Sequence, residues 1–413
     1  MTKALWSTLC ACVLSVVQAQ AQDYIVNIET WPVQRFLTEV EYGRTSKSRV
    51  ADYVDGAPYR LDQPNPLRLP LPWGMSEGIT VTFADNENYA DAREMAVESG
   101  QTEVIVYNLV PQHTYYYKME DALGQVVAEG QVQTRGQVRM IYAPSIYNAR
   151  DMGGWRTDDG LRVKYGKLYR GSELNRVNTA TDEDLKLFRQ LGVEAELDIR
   201  SEEERSAIAD ADHSAFGFSA ADDTYLSTQY FGCYSYHLIG SSYIAGYKAA
   251  LDFVIKSLKA GRPVYCHCIH GADRTGLLAI FIEGVLGVSY DQITKDYELT
   301  SMSQVGERIK TRYYDAIINY MSRFPGQTLQ ERMAYYLRVR VGLTADDIAY
   351  LRSALLEDPN QRPSDSGVAT GMEQIVMVGS GRAACGAAYS LSGRRCDVKR
   401  GLKIVRGRKY VVR

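Results

Sequence analysis

Two hydrophobic patterns divide the chain. Over residues 23–136, short runs alternate between apolar and polar positions, separated by glycine, proline and asparagine clusters; residues 78–83 (GITVTF) and 103–107 (EVIVY) are typical. Alternation places every second side chain on one face of a sheet, so this region is predicted to be all β. Over residues 140–358, apolar positions at helical spacing alternate with short buried runs. That pattern predicts an α/β domain with a central sheet flanked by helices.

Local signals place the elements of the second region. Thr181 precedes three acidic residues and has the character of a helix N-cap, so a helix is predicted over 185–191, with Gly192 at its end. Residues 193–199 (VEAELDI), which follow, predict a strand. The same reasoning predicts three further elements, namely a helix near 243–258, a strand at 264–267 and a long apolar helix over 275–286.

The first 21 residues have the pattern of a secretory signal peptide. Lys3 provides a short basic region, residues 4–17 an apolar run, and residues 19–21 (AQA) an A-x-A cleavage site. The apolar run is short for a transmembrane helix, and no later segment reaches that length without a charge, so no membrane span is expected. We therefore expect a secreted or periplasmic protein, with a cell-surface location left open. A buried N-terminal helix is the alternative interpretation.

Composition and charge narrow the class of protein. The 413 residues are 45% hydrophobic and 23% charged, which is ordinary for a globular protein and allows two or three domains. The net charge of −3 is unevenly distributed, because residues 378–413 hold ten basic residues against one acid. The rest of the chain therefore has 37 basic and 49 acidic residues, a net charge of −12. Nucleic-acid binding needs clustered positive charge, so no nucleic-acid partner is expected.

The C-terminal part differs from the rest in composition. Residues 359–370 have the composition of a linker, and residues 371–413 that of a small, basic, β-like tail. Residues 388–413 resemble short C-terminal segments of secreted proteins from gut-type Gram-negative bacteria. That resemblance implies a sorting role, and a basic β-hairpin without any address function is the alternative.

Cysteine usage follows from the predicted export. Removal of the signal peptide leaves five cysteines: Cys233, Cys266, Cys268, Cys385 and Cys396. An odd number in an exported protein indicates at least one free thiol, while a bridge between Cys385 and Cys396 stays open. The spacing of cysteine and histidine matches no metal-binding pattern, so neither a metal nor another cofactor is expected.

A ten-residue stretch, 267–276 (HCIHGADRTG), contains the residues with the clearest chemistry. The turn between a strand and a helix presents backbone N–H groups to an anion, and the same field stabilises a thiolate at Cys268, the predicted nucleophile. Arg274 is expected to hold two phosphoryl oxygens, and Thr275 to assist the sulfur as a leaving group. The predicted substrate-binding residues are those of the turn: Ile269, His270, Gly271, Ala272, Asp273 and Gly276.

This stretch resembles the HCx5R(S/T) signature of the protein tyrosine phosphatase superfamily. Three earlier blocks, 147–154 (YNARDMGG), 168–172 (LYRGS) and 197–201 (LDIRS), resemble the N-F-R-D-x-G-G, R-x-S and D-L-R-S blocks of the bacterial tyrosine phosphatase family. The resemblance covers about half of the chain. It implies metal-free hydrolysis of a phosphorylated protein or a small phosphoester through a cysteinyl-phosphate.

The resemblance also implies candidates for the other roles. Asp198, in the 197–201 block, is the candidate general acid, and the alternative is that it pairs with Arg200 or Arg170 and only shapes the cleft. Asp222, Asp223 and Asp273 are rival acids, the first two on a segment with the composition of a lid. Arg150 and Arg170 either line the cleft or are buried and paired. His267 is expected to hold the loop by hydrogen bonding, and Cys266 to face the core.

The loop departs from the family pattern in one respect. Members that act on both tyrosine and phosphoinositide substrates commonly carry Lys-Asp-Arg where this chain has Ala272, Asp273 and Arg274. The missing lysine charge disfavours multiply phosphorylated headgroups, unless a protonated His270 substitutes for it; loop packing is the other interpretation of His270. Phosphotyrosine is therefore the expected substrate. The alternatives are a cysteine-type phytase or phosphoinositide phosphatase, and a catalytically inert surface binding protein.

The β-rich region has a resemblance of its own. Residues 109–119 (LVPQHTYYYKM) resemble the L-x-P-x-x-x-Y-x-Y stretch of fibronectin type III domains, where a tyrosine hydroxyl pins a corner of the sandwich. The resemblance implies a β-sandwich over 23–136. Tyr115 and Tyr117 are then expected to be core and corner residues rather than ligand-binding ones.

Overall fold

The structure is a computed structural model that describes residues 20–57, 60–72, 78–206, 214–303 and 305–360. Beyond these it describes five strands: Val376–Gly381, Ala388–Tyr389, Arg395–Cys396, Gly401–Val405 and Arg408–Val412. Most of the predicted signal peptide and most of the predicted linker lie outside the described residues, as does the Cys385–Cys396 bridge that the sequence leaves open. Among the described helices, none has the length and apolar character needed to cross a membrane.

The N-terminal region contains two sheets that share one apolar core. In the first sheet, Val126–Arg135, Thr114–Glu120, Thr80–Ala84 and Arg93–Ala96 follow one another, and the short strands Gln20–Ala21 and Tyr24–Asn27 run parallel to the first of these. In the second sheet, Leu67–Pro70 pairs with Gln101–Tyr107. Inward-facing residues of both sheets, including Val81, Val104, Val106 and Val132, form one buried cluster. The alternating runs in the sequence therefore become strands that bury one face.

A tyrosine pins the corner of this region as predicted. Tyr115 is fully buried, and the Val110 N–H donates a hydrogen bond of 2.9 Å to its hydroxyl oxygen. Its ring stacks on Phe83 at a centroid distance of 5.2 Å. Tyr117 is also buried, and its hydroxyl donates to the Gln22 carbonyl at 2.8 Å. Both tyrosines are thus structural residues.

The all-β prediction for residues 23–136 is wrong in one segment. Trp31–Glu39 and Ala51–Val54 are helices. Pro32 occupies the first turn of the longer helix, where a missing N–H costs nothing, and Val33, Phe36 and Leu37 recur at helical spacing on its buried face. These side chains pack into the core of the following α/β domain and not into the β-sandwich.

The α/β domain is built on a five-stranded sheet. Its order is Tyr225–Ser227, Ala195–Asp198, Val264–His267, Leu168–Gly171 and Arg150–Asp151. The first four strands are parallel, and the last runs antiparallel to its neighbour. A two-stranded sheet of Arg162–Val163 and Leu356–Glu357 lies apart from it. Because Val264–His267 is central and buried on both faces, the chain that leaves its carboxyl end enters the middle of the domain.

Helices surround this sheet. The α-helices are Asp182–Gln190, Glu202–Ser206, Ser241–Lys259, Asp273–Leu286, Tyr290–Leu299, Tyr314–Met321, Leu329–Tyr336 and Ala345–Leu355. Shorter helical turns are Ser235–Ile239, Thr300–Ser303 and Leu337–Val341. The predicted N-cap is confirmed, since the Thr181 hydroxyl accepts a hydrogen bond from the Asp184 N–H in a capping box. The helix Asp273–Leu286 is buried along nearly its whole length, so its apolar sequence reflects burial on all sides.

The C-terminal segment differs from the separate tail that the sequence predicts. The strand Val376–Gly381 pairs antiparallel with Gln101–Tyr107 and so extends the second sheet of the N-terminal region. The other four strands form a sheet of their own, in which Gly401–Val405 and Arg408–Val412 are an antiparallel hairpin. A predicted boundary at residue 371 could not show this, because strand pairing across more than 260 residues leaves no local signal.

Candidate active site

The stretch from His267 to Thr275, called the phosphate loop below, connects the central strand to the helix that begins at Asp273. Cys268 follows the strand directly and is 3% exposed. Gly271 has a positive φ of 62°, and a Cβ atom at this position would lie 2.1 Å from the carbonyl oxygen of Gly171. Glycine is therefore required here both for its backbone conformation and for the close approach.

The carbonyl groups of the loop are bound from outside. The Glu173 N–H donates to the Ile269 carbonyl at 2.9 Å. The Asn148 side-chain amide donates to the carbonyls of His270 and Gly271 at 3.1 and 3.0 Å. The Arg170 guanidinium donates to those of Gly271 and Ala272 at 2.8 and 3.2 Å.

The amide groups of the loop are left available by this arrangement. Within the part of the chain that the structure describes, the N–H groups of residues 269–272 have no backbone acceptor. Carbonyls held outward and N–H groups left without a backbone partner are the arrangement that binds an anion, here at the N-terminus of a long helix. The geometry thus matches the cradle that the sequence predicts.

The thiol of Cys268 lies in a field that favours its ionised form. Burial raises the pKa of this thiol, but the charge of Arg274 and hydrogen bonds from the hydroxyl and backbone N–H of Thr275 lower it further than burial raises it. The net pKa is below the ordinary value for cysteine. The Thr275 hydroxyl is buried and has no oxygen or nitrogen partner in the described structure, so it is available to donate a hydrogen bond to the sulfur. A thiolate is the reactive form of cysteine, so this environment is the one that a nucleophilic cysteine needs.

Arg274 is held by an acidic residue that the sequence did not single out. Its Nη1 and Nη2 atoms lie 2.6 and 2.9 Å from the two carboxylate oxygens of Glu204. The Ser201 N–H donates to Glu204 at 2.7 Å, which fixes the carboxylate at the start of its short helix. This ion pair orients the guanidinium. It leaves the Nε–H and one Nη2–H of Arg274 available, and these two donors can bind a phosphoryl group as a fork.

Asp198 is the wrong carboxylate for the general acid. It is fully buried, and its oxygens accept four hydrogen bonds from Arg200, between 2.7 and 3.1 Å. Although burial raises the pKa of Asp198, the charges of His267 and Arg200 bring it to about 2. A carboxylate that stays ionised and enclosed cannot donate a proton near neutral pH, so Asp198 is a structural ion-pair residue.

The rival acids occupy different ends of the sheet. Asp222 and Asp223 precede the strand Tyr225–Ser227, which is parallel to the neighbouring strand, so they lie at the edge opposite the phosphate loop. The Arg262 side chain, which precedes the central strand, donates to the Asp223 carbonyl and confirms this position. Asp273 is within the phosphate loop, is partly exposed, and accepts hydrogen bonds of 2.8 and 3.0 Å from Arg308.

The remaining loop residues have supporting positions. His267 is buried, with Nε2 2.9 Å from Glu196 and Nδ1 3.3 Å from the Cys268 carbonyl, so it holds the loop as predicted. Burial and the charge of Arg308 lower the pKa of His270, so it is neutral at pH 7 and does not replace the missing lysine charge. Cys266 is fully buried in the core, and burial raises the pKa of its thiol to about 12.

Arg150 and Arg170 are buried and paired, and neither lines an open cleft. Both guanidinium groups contact Asp296, at 2.9 Å for Arg150 and 2.5 Å for Arg170. Arg150 also donates to the side-chain oxygen of Asn148, and Arg170 to the loop carbonyls described above. A single buried carboxylate thus ties two arginines into the support of the phosphate loop. Asp296 was missed because it follows the loop by more than 20 residues and belongs to none of the matched sequence blocks.

Comparison with known proteins gives the family of the chain. The profile of the tyrosine phosphatase family matches residues 141–357, which is more than half of the chain. A putative tyrosine-protein phosphatase from Cupriavidus necator is 28% identical over 167 residues, 37% of this chain and 60% of that protein. The triple specificity protein phosphatase PtpB from Mycobacterium tuberculosis is 27% identical over 212 residues, 41% of this chain and 74% of that protein. The chain thus spans less than two thirds of the first of these relatives.

Solved structures give more distant similarities. The crystal structure of TpbA from P. aeruginosa aligns with 42% of this chain and 90% of its own, at 20% identity and a TM-score of 0.26. A second structure of TpbA, in complex with phosphotyrosine, has the same TM-score at 18% identity.

Proposed function

The chain belongs to the tyrosine phosphatase family, and we propose that it hydrolyses phosphomonoesters, with phosphotyrosine as the preferred substrate, through a cysteinyl-phosphate intermediate. The observation that supports this most strongly is the position of Cys268 beside Arg274. The thiol has a lowered pKa at the base of a cradle of amide groups, and the guanidinium that lowers it retains a fork of two donors.

In the first step, the Cys268 thiolate attacks phosphorus and the bond from phosphorus to the substrate oxygen breaks. Negative charge on the three non-bridging oxygens is stabilised by the loop N–H groups and by Arg274, which are in place before the reaction begins. The leaving oxygen takes a proton from Asp273, the rival acid that is partly exposed within the loop, although Arg308 donates to both of its oxygens. In the second step, water attacks phosphorus and gives a proton to the Asp273 carboxylate as the bond from phosphorus to sulfur breaks, and the Thr275 hydroxyl stabilises the charge that returns to the thiolate.

An exposed aromatic surface beside the loop supports phosphotyrosine as the substrate. Tyr234 and Tyr236 are 41% and 63% exposed, stack at 5.3 Å, and are joined by Tyr313, whose ring lies edge-on to Tyr234 at 4.8 Å. Cys233, next to Tyr234 in the chain, is near the phosphate loop. Burial raises the pKa of its thiol to about 12, and the negative charges of Asp273 and Cys268, both in the loop, raise it as well. A phenyl ring leaving the cradle on this side would contact aromatic faces.

Inositol polyphosphates fit the site less well. Ala272 stands where a lysine would add positive charge, His270 is neutral at pH 7, and the Glu204 carboxylate lies against Arg274. The site therefore offers little positive charge beyond the loop amides and Arg274, which suffice for a single phosphoryl group but not for a polyanion. An inert binding role is disfavoured by the complete set of Cys268, Arg274 and Thr275.

The experiment is hydrolysis of para-nitrophenyl phosphate in the presence of EDTA, with phosphotyrosyl peptide, phosphoseryl peptide and phytate compared as substrates. We expect turnover that is insensitive to EDTA, is abolished by Cys268→Ser and is fastest for the phosphotyrosyl peptide. Activity that survives Cys268→Ser, or that requires added metal, would refute the mechanism. Preference for phytate would refute the substrate.

Export is a separate proposal that rests on the signal-peptide pattern of residues 1–21. Its test is the N-terminal sequence of the protein isolated from the native cells and from their culture medium. A mature N-terminus after residue 21 supports export, and an intact N-terminus on a cytoplasmic protein contradicts it.

A further inference from the structure

We infer that Asp62, in the segment between the strands Tyr24–Asn27 and Leu67–Pro70, is a positioning residue for the phosphate loop and acts through Asn148. This inference deepens the proposed function and rests on it. The segment, residues 28–57 and 60–65, is called the brace segment below. It lies outside the part of the chain that matches the tyrosine phosphatase family, which begins at residue 141.

The brace segment is built into the core of the α/β domain. Seven of its apolar side chains belong to the same buried cluster as Cys268: Val33, Phe36, Leu37, Val40, Tyr42, Val50 and Leu61. The Leu61 N–H also donates to the Met302 carbonyl at 2.7 Å. Burial on this scale fixes the segment against the domain and gives its polar groups defined positions.

Two polar contacts anchor the segment at a distance from the loop. The Tyr42 hydroxyl donates to Glu298 at 2.5 Å, and both groups are buried. The Lys310 ammonium donates to the carbonyls of residues 43, 44 and 46 at 3.1 to 3.3 Å. Neither contact involves the phosphate loop, so both anchors offer controls for the role of Asp62.

Asp62 itself is held in one orientation. Its side chain is 1% exposed, and Arg60 donates to its two oxygens at 2.8 and 2.9 Å. Arg60 also donates to the carbonyls of Pro144 and Ile146, at 2.9 and 2.5 Å, and lies 4.1 Å from the Tyr147 ring centroid. The Arg60–Asp62 pair thus grips the chain directly before Asn148.

The contact of Asp62 with Asn148 is the decisive one. The buried Asn148 N–H donates to Asp62 at 2.7 Å, and Asn148 has a positive φ of 57°, which few residues other than glycine adopt. In this conformation its side-chain amide donates to the carbonyls of His270 and Gly271, and its oxygen accepts from Arg150. Asparagine adopts this conformation more readily than most residues, and the contact with Asp62 is part of what selects it at Asn148.

The consequence reaches the anion cradle. Without Asp62, a buried N–H loses its acceptor and Asn148 can relax to an ordinary backbone conformation. Its amide then leaves the two loop carbonyls, so that the His270 carbonyl loses this donor and the Gly271 carbonyl keeps only Arg170. A shift of these carbonyls draws the neighbouring N–H groups out of the cradle. A loop with displaced amides binds phosphate less well and stabilises the Cys268 thiolate less.

The test compares three variants in the full chain: Asp62→Ala, Asp62→Asn and, as control, Tyr42→Phe. Asparagine keeps an oxygen acceptor for the Asn148 N–H but loses the charge that holds Arg60, so it should rescue part of the effect. Tyr42→Phe removes the two hydrogen bonds of the Tyr42 hydroxyl, to Glu298 and from the Arg49 N–H, without touching the loop. Each variant is measured for Tm, kcat and KM with para-nitrophenyl phosphate, inhibition by vanadate, and the pH profile of alkylation at Cys268 followed by mass spectrometry.

Asp62→Ala is expected to lower kcat/KM by about 10- to 100-fold, because a small misplacement of the cradle is costly. It should also weaken vanadate inhibition and move the alkylation profile of Cys268 to higher pH, with Asp62→Asn intermediate. Tyr42→Phe is expected to lower Tm while leaving kcat/KM within about twofold of the wild type. The inference is overturned if Asp62→Ala keeps the wild-type alkylation profile and kcat/KM below its Tm, or if Tyr42→Phe changes both as strongly. If the wild type has no turnover, the proposed function fails, while alkylation still reports on the loop.

Discussion

Glu204 and Arg274 form a two-point ion pair, with 2.6 and 2.9 Å between their nitrogen and oxygen atoms. Arg274 is the residue expected to bind the phosphoryl group, and Glu204 lies 70 residues earlier on a five-residue helix. The pairing uses the outer edge of the guanidinium, so the same arginine can be both fixed in place and available to a substrate.

This relationship predicts that Glu204 acts through Arg274. Glu204→Ala leaves the guanidinium unrestrained, so kcat/KM for para-nitrophenyl phosphate is expected to fall about 10- to 100-fold. The exposed neighbour Glu203→Ala is the matched control and should stay within about twofold of the wild type. Equal activity of the two variants would show that the ion pair is not needed to orient Arg274.

The second prediction separates Asp198 from Asp273. The pKa of Asp198, about 2 in the folded protein, is below its unfolded value, so its pairing stabilises the fold above the unfolded pKa and is lost as pH falls through the folded one. Asp198→Asn leaves Arg200 poorly paired and should lower the free energy of unfolding by about 3 kcal/mol. The pH profile of kcat below the variant's unfolding temperature should keep its shape.

Asp273→Asn should instead flatten the high-pH limb of kcat, where a general acid must remain protonated. It should slow alkyl phosphates more than aryl phosphates, because an alkoxide needs its proton more than a phenolate does. Denaturant unfolding and pH–rate profiles of the two variants check both statements. A profile changed by Asp198→Asn and not by Asp273→Asn would reverse the assignment.

Thr275 is predicted to act on the second step. Burial raises the pKa of Cys268, and the charge of Arg274 and then the buried Thr275 hydroxyl lower it. Thr275→Ala should therefore move alkylation of Cys268 to higher pH and slow hydrolysis of the cysteinyl-phosphate by about 10-fold or more. Rapid-mixing experiments should then show a burst of nitrophenol followed by slow turnover. A variant with normal steady-state turnover and no burst would contradict this role.

Gly271 is predicted to tolerate no side chain. Gly271→Ala places a Cβ atom 2.1 Å from the Gly171 carbonyl oxygen in a backbone with positive φ, so the loop must shift. Activity should fall at least about 100-fold, because the loop amides provide much of the transition-state stabilisation. Gly217→Ala is a matched control, since its φ of 77° imposes similar strain in open space. Activity of Gly271→Ala equal to that of Gly217→Ala would contradict the tight approach.

The parts of the site that were predictable are those encoded within a few residues of one another. Cys268, Arg274 and Thr275 follow from their spacing between a strand and a helix, and Gly271 from the turn it must make. Of the two roles that the sequence offers for Asp198, the structure shows the pairing with Arg200 and contradicts the general acid, because the enclosure of this carboxylate and the fork of Arg200 are properties of the folded domain. Chain position at the end of a strand does not distinguish an exposed acid from a buried ion pair.

Long-range partners could not be predicted from the sequence. Asp62 and Asn148 are 86 residues apart in the sequence, and Glu204 and Arg274 are 70 apart. Neither pair therefore belongs to a local motif. The helix Trp31–Glu39 did have a local signal, since its apolar residues recur at helical spacing. The surrounding β pattern concealed it, and only packing against the α/β core shows why the helical conformation prevails.

The cysteinyl-phosphate intermediate can be trapped by quenching the reaction with acid during turnover of a peptide whose phosphotyrosine carries a radiolabelled phosphoryl group. We predict label on the peptide that contains Cys268, formed within the burst phase, increased in Thr275→Ala and absent in Cys268→Ser. Turnover without label on the protein, or label on a different residue, would contradict the account.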